Sequence, residues 1–289
     1  MAVMTDYLDW RGDISMEVSP LNEADNFILG QVVTLIFEGI VPAEGSIGIR
    51  EAAELYFNSP AAGKVNPMSS PLNEPIFRRL PDTVRFGGLV LSDYRDVFNT
   101  ERTEQFCAMT ISGLPGGARY IAFRETDDTL VGWKDDLLMS VVPETAAQRS
   151  ALNYLREVAA KTEGPLYLGG HSKGGNLAVF AAAMVPPEVQ SRIVMVYSND
   201  GPGFWQAFLD TPGFQAIRPR VCTLVPKHSV VGTLLEQGDT EAVVKCSRAG
   251  VESHDGFYWE VGPLGFIREE DGLAMGARAY RAALREINP

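Results

Sequence analysis

The segment from Leu166 to Ala178 constrains the fold most, because it joins an apolar strand to an Ala-rich helix through one sharp turn. In that turn Gly170, Ser172 and Gly174 match the pattern Gly-x-Ser-x-Gly. A strand-turn-helix of this kind raises the serine hydroxyl above the sheet, and the flanking glycines remove side chains that would clash there. The segment therefore predicts a nucleophile elbow with Ser172 as the nucleophile, rather than a serine that only caps a helix.

The start of the helix after Ser172 predicts an oxyanion-binding group. The main-chain N–H of Lys173 is unpaired at this position, and the positive end of the helix dipole points to the same place. A second donor usually comes from the loop after an earlier strand, which corresponds here to residues 120–133. Thr126 is the candidate, through its main-chain N–H, its hydroxyl or both, although it can also cap a helix that begins near Leu130.

A serine of ordinary pKa needs a base, and the chain offers only three histidines, His171, His228 and His254. His171 adjoins the nucleophile, where neighbouring side chains diverge, so it is expected to pack or hydrogen-bond beneath the site. His254 follows the last apolar strand, and the base comes last in the chain order of α/β-hydrolases. His254 is therefore the predicted base, with His228 as the alternative.

The third member of such a triad is a carboxylate that follows a strand between the nucleophile and the base. Asp200 lies three residues after the end of the predicted strand 192–197, in a turn rich in glycine and proline. Asp239 is the later alternative, while Asp255 adjoins His254 and falls outside the expected order. Asp200 can also be a turn residue that bonds to its own backbone.

The remaining periodicity predicts the α/β-hydrolase fold, with a mostly parallel central sheet and helices on both faces. We expect one domain over residues 1–289, whose first hundred residues are mainly helical and packed on the sheet. The predicted helices are 22–39, 47–57, 144–161, 174–184 and 271–287. The predicted strands are 105–112, 119–123, 166–168, 192–197, 220–225 and 241–246, of which the first two form an antiparallel hairpin. Residues 58–75 are predicted to be a proline-rich loop.

Charge and composition exclude several other classes. The net charge of −12 disfavours nucleic acid and anionic lipid surfaces as partners. Three widely spaced cysteines indicate neither a disulfide framework nor a zinc cluster, and no metal or cofactor motif is present. No apolar run approaches the roughly 20 residues of a membrane span, and the N-terminus does not resemble a signal peptide. The expected location is therefore the cytoplasm; the oligomeric state is not readable.

Several segments together resemble the Mbeg1-like family of bacterial α/β-hydrolases, which is similar to the class 3 lipases. They are residues 6–13, 123–134, 170–178, 197–204, 230–236 and 254–255. The resemblance implies a serine hydrolase with Ser172 and His254 in the roles given above, and an oxyanion contribution from the turn at residues 124–126. It implies no particular substrate.

The turn at residues 124–126 departs from the lipase-like pattern, because Glu125 stands where lipase-like members carry glycine. A carboxylate there is expected to narrow the pocket or oppose the developing oxyanion. Lys173 is expected to pair with Glu125 or with an acidic group of the substrate. The acidic pair Asp135 and Asp136 is expected to be a solvated helix end.

The sequence thus predicts a carboxylesterase-like or lipase-like enzyme that cleaves an ester or thioester of a small acyl or lipid-like substrate. Phe204 and Trp205 are candidate pocket residues, together with Glu125 and His171. The alternative is a catalytically weak or inert protein of the same fold that binds a ligand or partner, which Glu125 favours.

Overall fold

The computed structural model describes residues 2–64, 69–139 and 141–287. Its helices are α1 Met4–Arg11, α2 Glu23–Val32, α3 Ile49–Phe57, α4 Asn73–Arg79, α5 Leu130–Leu138, α6 Ala146–Lys161, α7 Lys173–Met184, α8 Pro187–Gln190, α9 Gln206–Leu209, α10 Pro212–Ile217 and α11 Met275–Ile287. Its strands are β1 Ser46–Gly48, β2 Val90–Asn99, β3 Glu104–Ser112, β4 Arg119–Phe123, β5 Leu166–His171, β6 Ile193–Asn199, β7 Val221–Pro226, β8 Glu241–Val244, β9 Val261–Gly262 and β10 Gly265–Phe266. None of the described helices has the length and apolarity to cross a bilayer.

Strands β1 to β8 form one sheet in which the spatial order follows the chain order. The pairings from β1 to β4 are antiparallel, and those from β4 to β8 are parallel. The antiparallel hairpin predicted from residues 105–112 and 119–123 is therefore confirmed as β3 and β4. In the parallel half, the carboxyl ends of β4 to β8 meet at one edge, where the site residues of such sheets usually lie.

Side-chain alternation on β4 shows that the sheet is covered on both faces. Tyr120 and Ala122 pack into the core cluster that contains the N-terminal helix α2. Ile121 and Phe123 pack into the other cluster, which contains α6 and α7. Because both faces are covered by helices, the last four residues of each of the strands β4 to β7 are buried. The prediction of an α/β-hydrolase fold is confirmed.

The first hundred residues differ from the prediction in two respects. Helix α2 ends at Val32, not near residue 39, and Asn22 caps it by accepting hydrogen bonds from the main-chain N–H groups of Ala24 and Asp25. The segment also supplies β1 and β2 to the central sheet, so it is not only a helical cover. Residues 65–68 of the predicted loop 58–75 lie outside the described residues, and α4 already begins at its end.

Candidate active site

Ser172 lies between β5 and α7 in a strained backbone conformation. Its φ of 54° and ψ of −127° belong to a region that side-chain-bearing residues rarely adopt. The two glycines allow this turn to approach β4, since a Cβ on Gly174 or Gly170 would lie 2.1 or 2.4 Å from the main-chain oxygen of Phe123. The Ser172 main-chain N–H donates to the Asn199 carbonyl at 2.9 Å, which fixes the turn against β6.

His254 and Asp200 form the hydrogen bond that a catalytic triad requires. The distance from His254 Nδ1 to Asp200 Oδ2 is 2.7 Å. Asp200 follows β6 with φ of 51° and is fully buried, and its Oδ1 accepts from the Ser229 hydroxyl at 2.6 Å and from the Gly232 N–H at 3.1 Å. Because a carboxylate can only accept, Nδ1 of His254 carries the proton and Nε2 is left as a lone-pair acceptor.

The alternative residues considered from the sequence, Asp239, His228 and Asp255, do not form this hydrogen-bonded pair. The Asp239 side chain is 96% exposed, and its carboxylate is 3.9 Å from Arg218. His228 lies in the loop after β7, whereas the imidazole that bonds to Asp200 belongs to His254. Asp255 accepts from the main-chain N–H of Phe257 at 3.0 Å and so caps a short 3-10 turn. Of the residues weighed from the sequence, the structure therefore brings Asp200 and His254 together.

One cavity of about 720 Å³ contains both Ser172 and His254 in its wall. The predicted pocket residues Phe204 and Trp205 line it as well, and Phe204 stacks on Phe208 with ring centroids 4.2 Å apart. Most of the other wall residues are apolar. The complete set of these other wall residues, apolar and polar, is Thr126, Trp133, Asp136, Leu137, Met139, Lys173, Pro202, Gln206, Val231, Thr233, Leu234, Leu235, Glu236, Val251, Arg281 and Leu284.

Both predicted oxyanion residues, Lys173 and Thr126, belong to this wall. Lys173 directly follows Ser172 in the chain. The Thr126 hydroxyl donates to Asp136 Oδ2 at 2.6 Å. The helix that begins at Leu130 is capped by Thr129, whose hydroxyl accepts from a main-chain N–H at 3.0 Å, and not by Thr126. The capping alternative for Thr126 is therefore wrong.

The Lys173 ammonium group pairs with Asp135, whereas the two predicted partners were Glu125 and an acidic group of the substrate. Its Nζ lies 3.1 Å from Asp135 Oδ2 and 3.0 Å from the main-chain oxygen of Gln105, and both charged side chains are buried. Burial raises the pKa of Asp135 to about 6 although Lys173 opposes this, and burial also raises the pKa of Asp136. The prediction that this acidic pair is a solvated helix end is wrong, because the buried ammonium needs a partner.

Glu125 instead pairs with His171. Its carboxylate contacts His171 Nδ1 and accepts a hydrogen bond from the Ser69 hydroxyl at 2.5 Å. Burial disfavours the charged forms, yet their mutual attraction lowers the pKa of Glu125 and raises the pKa of His171 to about 9. The structure places neither residue in the cavity wall, in contrast to the prediction, because the ion pair keeps both side chains in the interior.

Two supporting residues escaped the sequence analysis. Ser229 and Gly232 hold the second oxygen of Asp200, and a Cβ on Gly232 would lie 2.3 Å from that oxygen. Gly232 lies in the segment 230–236 that carried part of the resemblance, but its spacing gave no reason to connect it with Asp200. Within the described parts of the chain, no three His, Cys, Asp or Glu side chains are grouped to hold a metal ion.

Comparison with known proteins gives one family match over most of the chain. The Mbeg1-like family model matches residues 80–288. None of the curated proteins is similar enough in sequence to match.

Among solved structures, a lipase from Rhizopus microsporus var. chinensis has 13% sequence identity and a TM-score of 0.41, with 85% of this chain and 90% of that chain covered. The M37 lipase has 14% identity and a TM-score of 0.34, with 49% and 57% covered. A triacylglycerol lipase, whose catalytic centre is described as a serine protease triad, has 16% identity and a TM-score of 0.34, with 50% and 63% covered. The chain thus spans less than two thirds of these last two lipases.

Proposed function

The chain belongs to the Mbeg1-like family, whose model matches residues 80–288, and from this premise we propose that it is a serine hydrolase. In this proposal Ser172 is the nucleophile, His254 the general base and Asp200 the group that orients the base. The bond cleaved is an ester or thioester.

The observation that carries the proposal is the 2.7 Å hydrogen bond between His254 Nδ1 and the buried Asp200 carboxylate. This bond leaves Nε2 of His254 able to accept a proton, and Ser172 shares the cavity wall with His254. A turn aspartate that served only its own loop would have no reason to meet a histidine 54 residues later in the chain.

The reaction proceeds by acyl transfer through a covalent intermediate. Ser172 Oγ attacks the carbonyl carbon while its proton passes to Nε2 of His254. The main-chain N–H of Lys173 and that of Thr126, whose hydroxyl donates to Asp136, stabilise the oxyanion. Collapse of the tetrahedral intermediate breaks the C–O or C–S bond, and His254 delivers its proton to the departing alcohol or thiol. Water then attacks the acyl-enzyme with His254 as base, which releases the carboxylic acid and restores Ser172.

The wall of the cavity supports an acyl or lipid-like small molecule as substrate. A volume of about 720 Å³ lies within the usual range of roughly 300–1,000 Å³ for small-molecule sites. Apolar side chains such as Trp133, Leu137 and Leu234 dominate the wall, so an acyl chain would be desolvated on entry.

The ligand-binding alternative loses its main argument, because the Glu125 carboxylate is neutralised by His171 and does not line the cavity. A carboxylate held in that way does not oppose an oxyanion beside Ser172. The two functions nevertheless differ in one measurable property, the reactivity of the Ser172 hydroxyl.

Labelling with a fluorophosphonate probe, followed by intact-mass measurement, tests the proposal without a known substrate. We expect one adduct on the wild-type chain and none on Ser172→Ala. His254→Ala should label on the order of 10²–10⁴ times more slowly, because the serine loses its base. His228→Ala is the matched control, since it removes a histidine that does not meet Asp200, and it should label at the wild-type rate. A folded wild-type chain that forms no adduct would refute the proposal and favour a ligand-binding protein.

A further inference from the structure

Both ring nitrogens of His171 face groups that accept hydrogen bonds. Nε2 lies 2.7 Å from the main-chain oxygen of His254, and Nδ1 contacts a carboxylate oxygen of Glu125. A main-chain carbonyl has no proton to donate, so Nε2 must carry one. The Glu125 carboxylate likewise accepts, so Nδ1 carries a proton as well. With Glu125 ionised, the two contacts together require His171 to be an imidazolium.

The surroundings of Glu125 favour the ionised form of that carboxyl group. The Ser69 hydroxyl donates to Oε1 at 2.5 Å, while the other oxygen contacts the His171 ring. Both side chains are buried, at 5% and 7% exposure, so each charge needs the other as its partner. Separate loss of either charge would leave an uncompensated ion in the interior.

We propose that His171 is a positioning residue of this site, held as an imidazolium by Glu125. In this role it fixes the main chain of His254 relative to residues 124–126, the turn that carries the proposed oxyanion donor Thr126. The inference rests on the proposed function, in which His254 is the base. It connects four separate parts of the chain, because Ser69 holds Glu125, Glu125 holds His171 and His171 holds the His254 carbonyl. Glu125 directly precedes the oxyanion residue Thr126, so the base and the oxyanion donor are positioned by one chain of bonds.

The charged and titratable groups around the His171 ring are Glu125, His254 and Asp200. The His254 ring lies 4.4 Å away between ring centroids, tilted by 38°, and Phe27 approaches edge-on at 6.2 Å. Two carboxylates and one imidazolium give this group a net charge of −1 before reaction. When His254 takes the serine proton, each of the two positively charged rings has its own carboxylate partner, Glu125 or Asp200, which offsets the repulsion between the rings.

Deprotonation of His171 should disturb this arrangement in a defined way. A neutral imidazole carries one ring proton and can serve only one of its two acceptors. If Nε2 keeps the proton, the Nδ1 lone pair faces the Glu125 carboxylate; if Nδ1 keeps it, the bond to the His254 carbonyl is lost. In Glu125→Gln, by contrast, the amide NH₂ can donate to Nδ1, so a neutral His171 keeps both bonds.

The charge of His171 can be measured independently of activity, by ¹⁵N NMR of the three ring systems in the histidine-labelled full chain, with His171→Gln identifying the signals. In the wild-type chain we expect both His171 nitrogens to be protonated at pH 7 and one proton to be lost near pH 9, since Glu125 raises the pKa of the ring to about 9 against the effect of burial. In Glu125→Gln we expect a neutral ring at pH 7. A neutral His171 in the wild-type chain at pH 7 would overturn the inference.

The positioning role can be measured from the pH profile of fluorophosphonate labelling at Ser172. We expect the wild-type labelling rate to fall by roughly tenfold above pH 9. This is the effect expected from the loss of one hydrogen bond with a charged donor, here the bond from His171 to the His254 carbonyl. The fall should be absent in Glu125→Gln. The control is Glu252→Gln, which removes an exposed carboxylate from the same loop as His254, 3.7 Å from Arg248, and should keep the wild-type profile. The same fall in Glu125→Gln and in the wild-type chain would overturn the positioning role.

A chain that never labels refutes the proposed function but still allows this inference to be tested. The Nδ1 proton of His254, bonded to Asp200, then reports on the position of the loop. It should broaden above pH 9 in the wild-type chain and stay sharp in Glu125→Gln. Identical behaviour in both would show that His171 does not hold His254.

Discussion

Replacing Asp200 by asparagine keeps the size of the side chain and inverts one hydrogen bond. In the wild-type chain Oδ1 accepts from the Ser229 hydroxyl and the Gly232 N–H, at 2.6 and 3.1 Å. The side-chain amide of the asparagine must therefore keep its oxygen toward Ser229 and Gly232, so that its NH₂ group faces His254. Since an NH₂ group donates, Nδ1 of His254 becomes the acceptor and its proton moves to Nε2. In this tautomer His254 cannot take the proton of Ser172.

The expected loss of reactivity is large and the expected loss of stability is small. A wrong tautomer in an otherwise intact serine protease triad costs on the order of 10⁴-fold in rate, about 5.4 kcal/mol. Both bonds of Oδ1 persist in Asp200→Asn, so the free energy of unfolding should change by only about 1 kcal/mol, a shift of roughly 2–4 °C in Tm.

The rate constant of fluorophosphonate labelling at pH 8 and the Tm measured on the same samples check this prediction. Asp239→Asn is the control, because it makes the same chemical change at an exposed aspartate, and it should label within about twofold of the wild-type rate. The reasoning is refuted if folded Asp200→Asn labels within tenfold of the wild-type rate, or if Asp239→Asn loses as much.

Three further predictions concern stability. The folded chain holds the His171 proton more tightly than the unfolded chain, because Glu125 outweighs burial and raises the pKa from 6.5 to about 9. This contribution, about 3 kcal/mol, is fully present below pH 6.5 and lost as the pH rises to about 9; urea unfolding at pH 6 and 9.5 should show the loss in the wild-type chain and not in Glu125→Gln. Lys173→Met leaves buried Asp135 without its ammonium partner, so urea unfolding at pH 7.5 should show a loss of about 3–5 kcal/mol, partly restored by adding Asp135→Asn; strictly additive losses would contradict the pairing. Gly174→Ala places a Cβ 2.1 Å from a main-chain oxygen of β4, which should cost about 3 kcal/mol or more by the same measurement, and an unchanged urea midpoint would contradict that geometry.

The sequence predicted strands β3 to β8 of the sheet well, but it did not predict β1 and β2, which form its antiparallel edge. Strand β5 and helix α7 could be predicted because their apolar runs and the intervening glycines are local signals. Strand β2 carries charged residues and is only partly buried, so its alternation is weak. A bulge between Ser92 and Arg95, with Asp93 at φ of 55°, further shifts the alternation by one position. No local pattern marks such a strand.

In the candidate site, chain order identified the residues that the structure brings together, but it could not identify their partners. Asp200 and His254 follow strands, so their position at the edge of the sheet follows from topology. The partner of Lys173 does not, because Asp135 reaches it only through the path of the loop between β4 and α5. The length and periodicity of α5 also do not show whether the Asp135 carboxylate is buried or solvated, because it is buried as the partner of Lys173, which is distant in the sequence.

The two unusual residues beside the nucleophile can be explained together once their partners are known. His171 and Lys173 directly precede and follow Ser172, and their carboxylate partners Glu125 and Asp135 lie on either side of Thr126 in the chain. The segment that carries the proposed oxyanion donor is therefore tied to the elbow by buried ion pairs on both sides. Breaking either pair leaves a buried charge uncompensated, so the position of this segment relative to Ser172 is strongly restrained. A glycine at position 125 would provide no such tie, which makes Glu125 and the basic residues beside Ser172 parts of one arrangement.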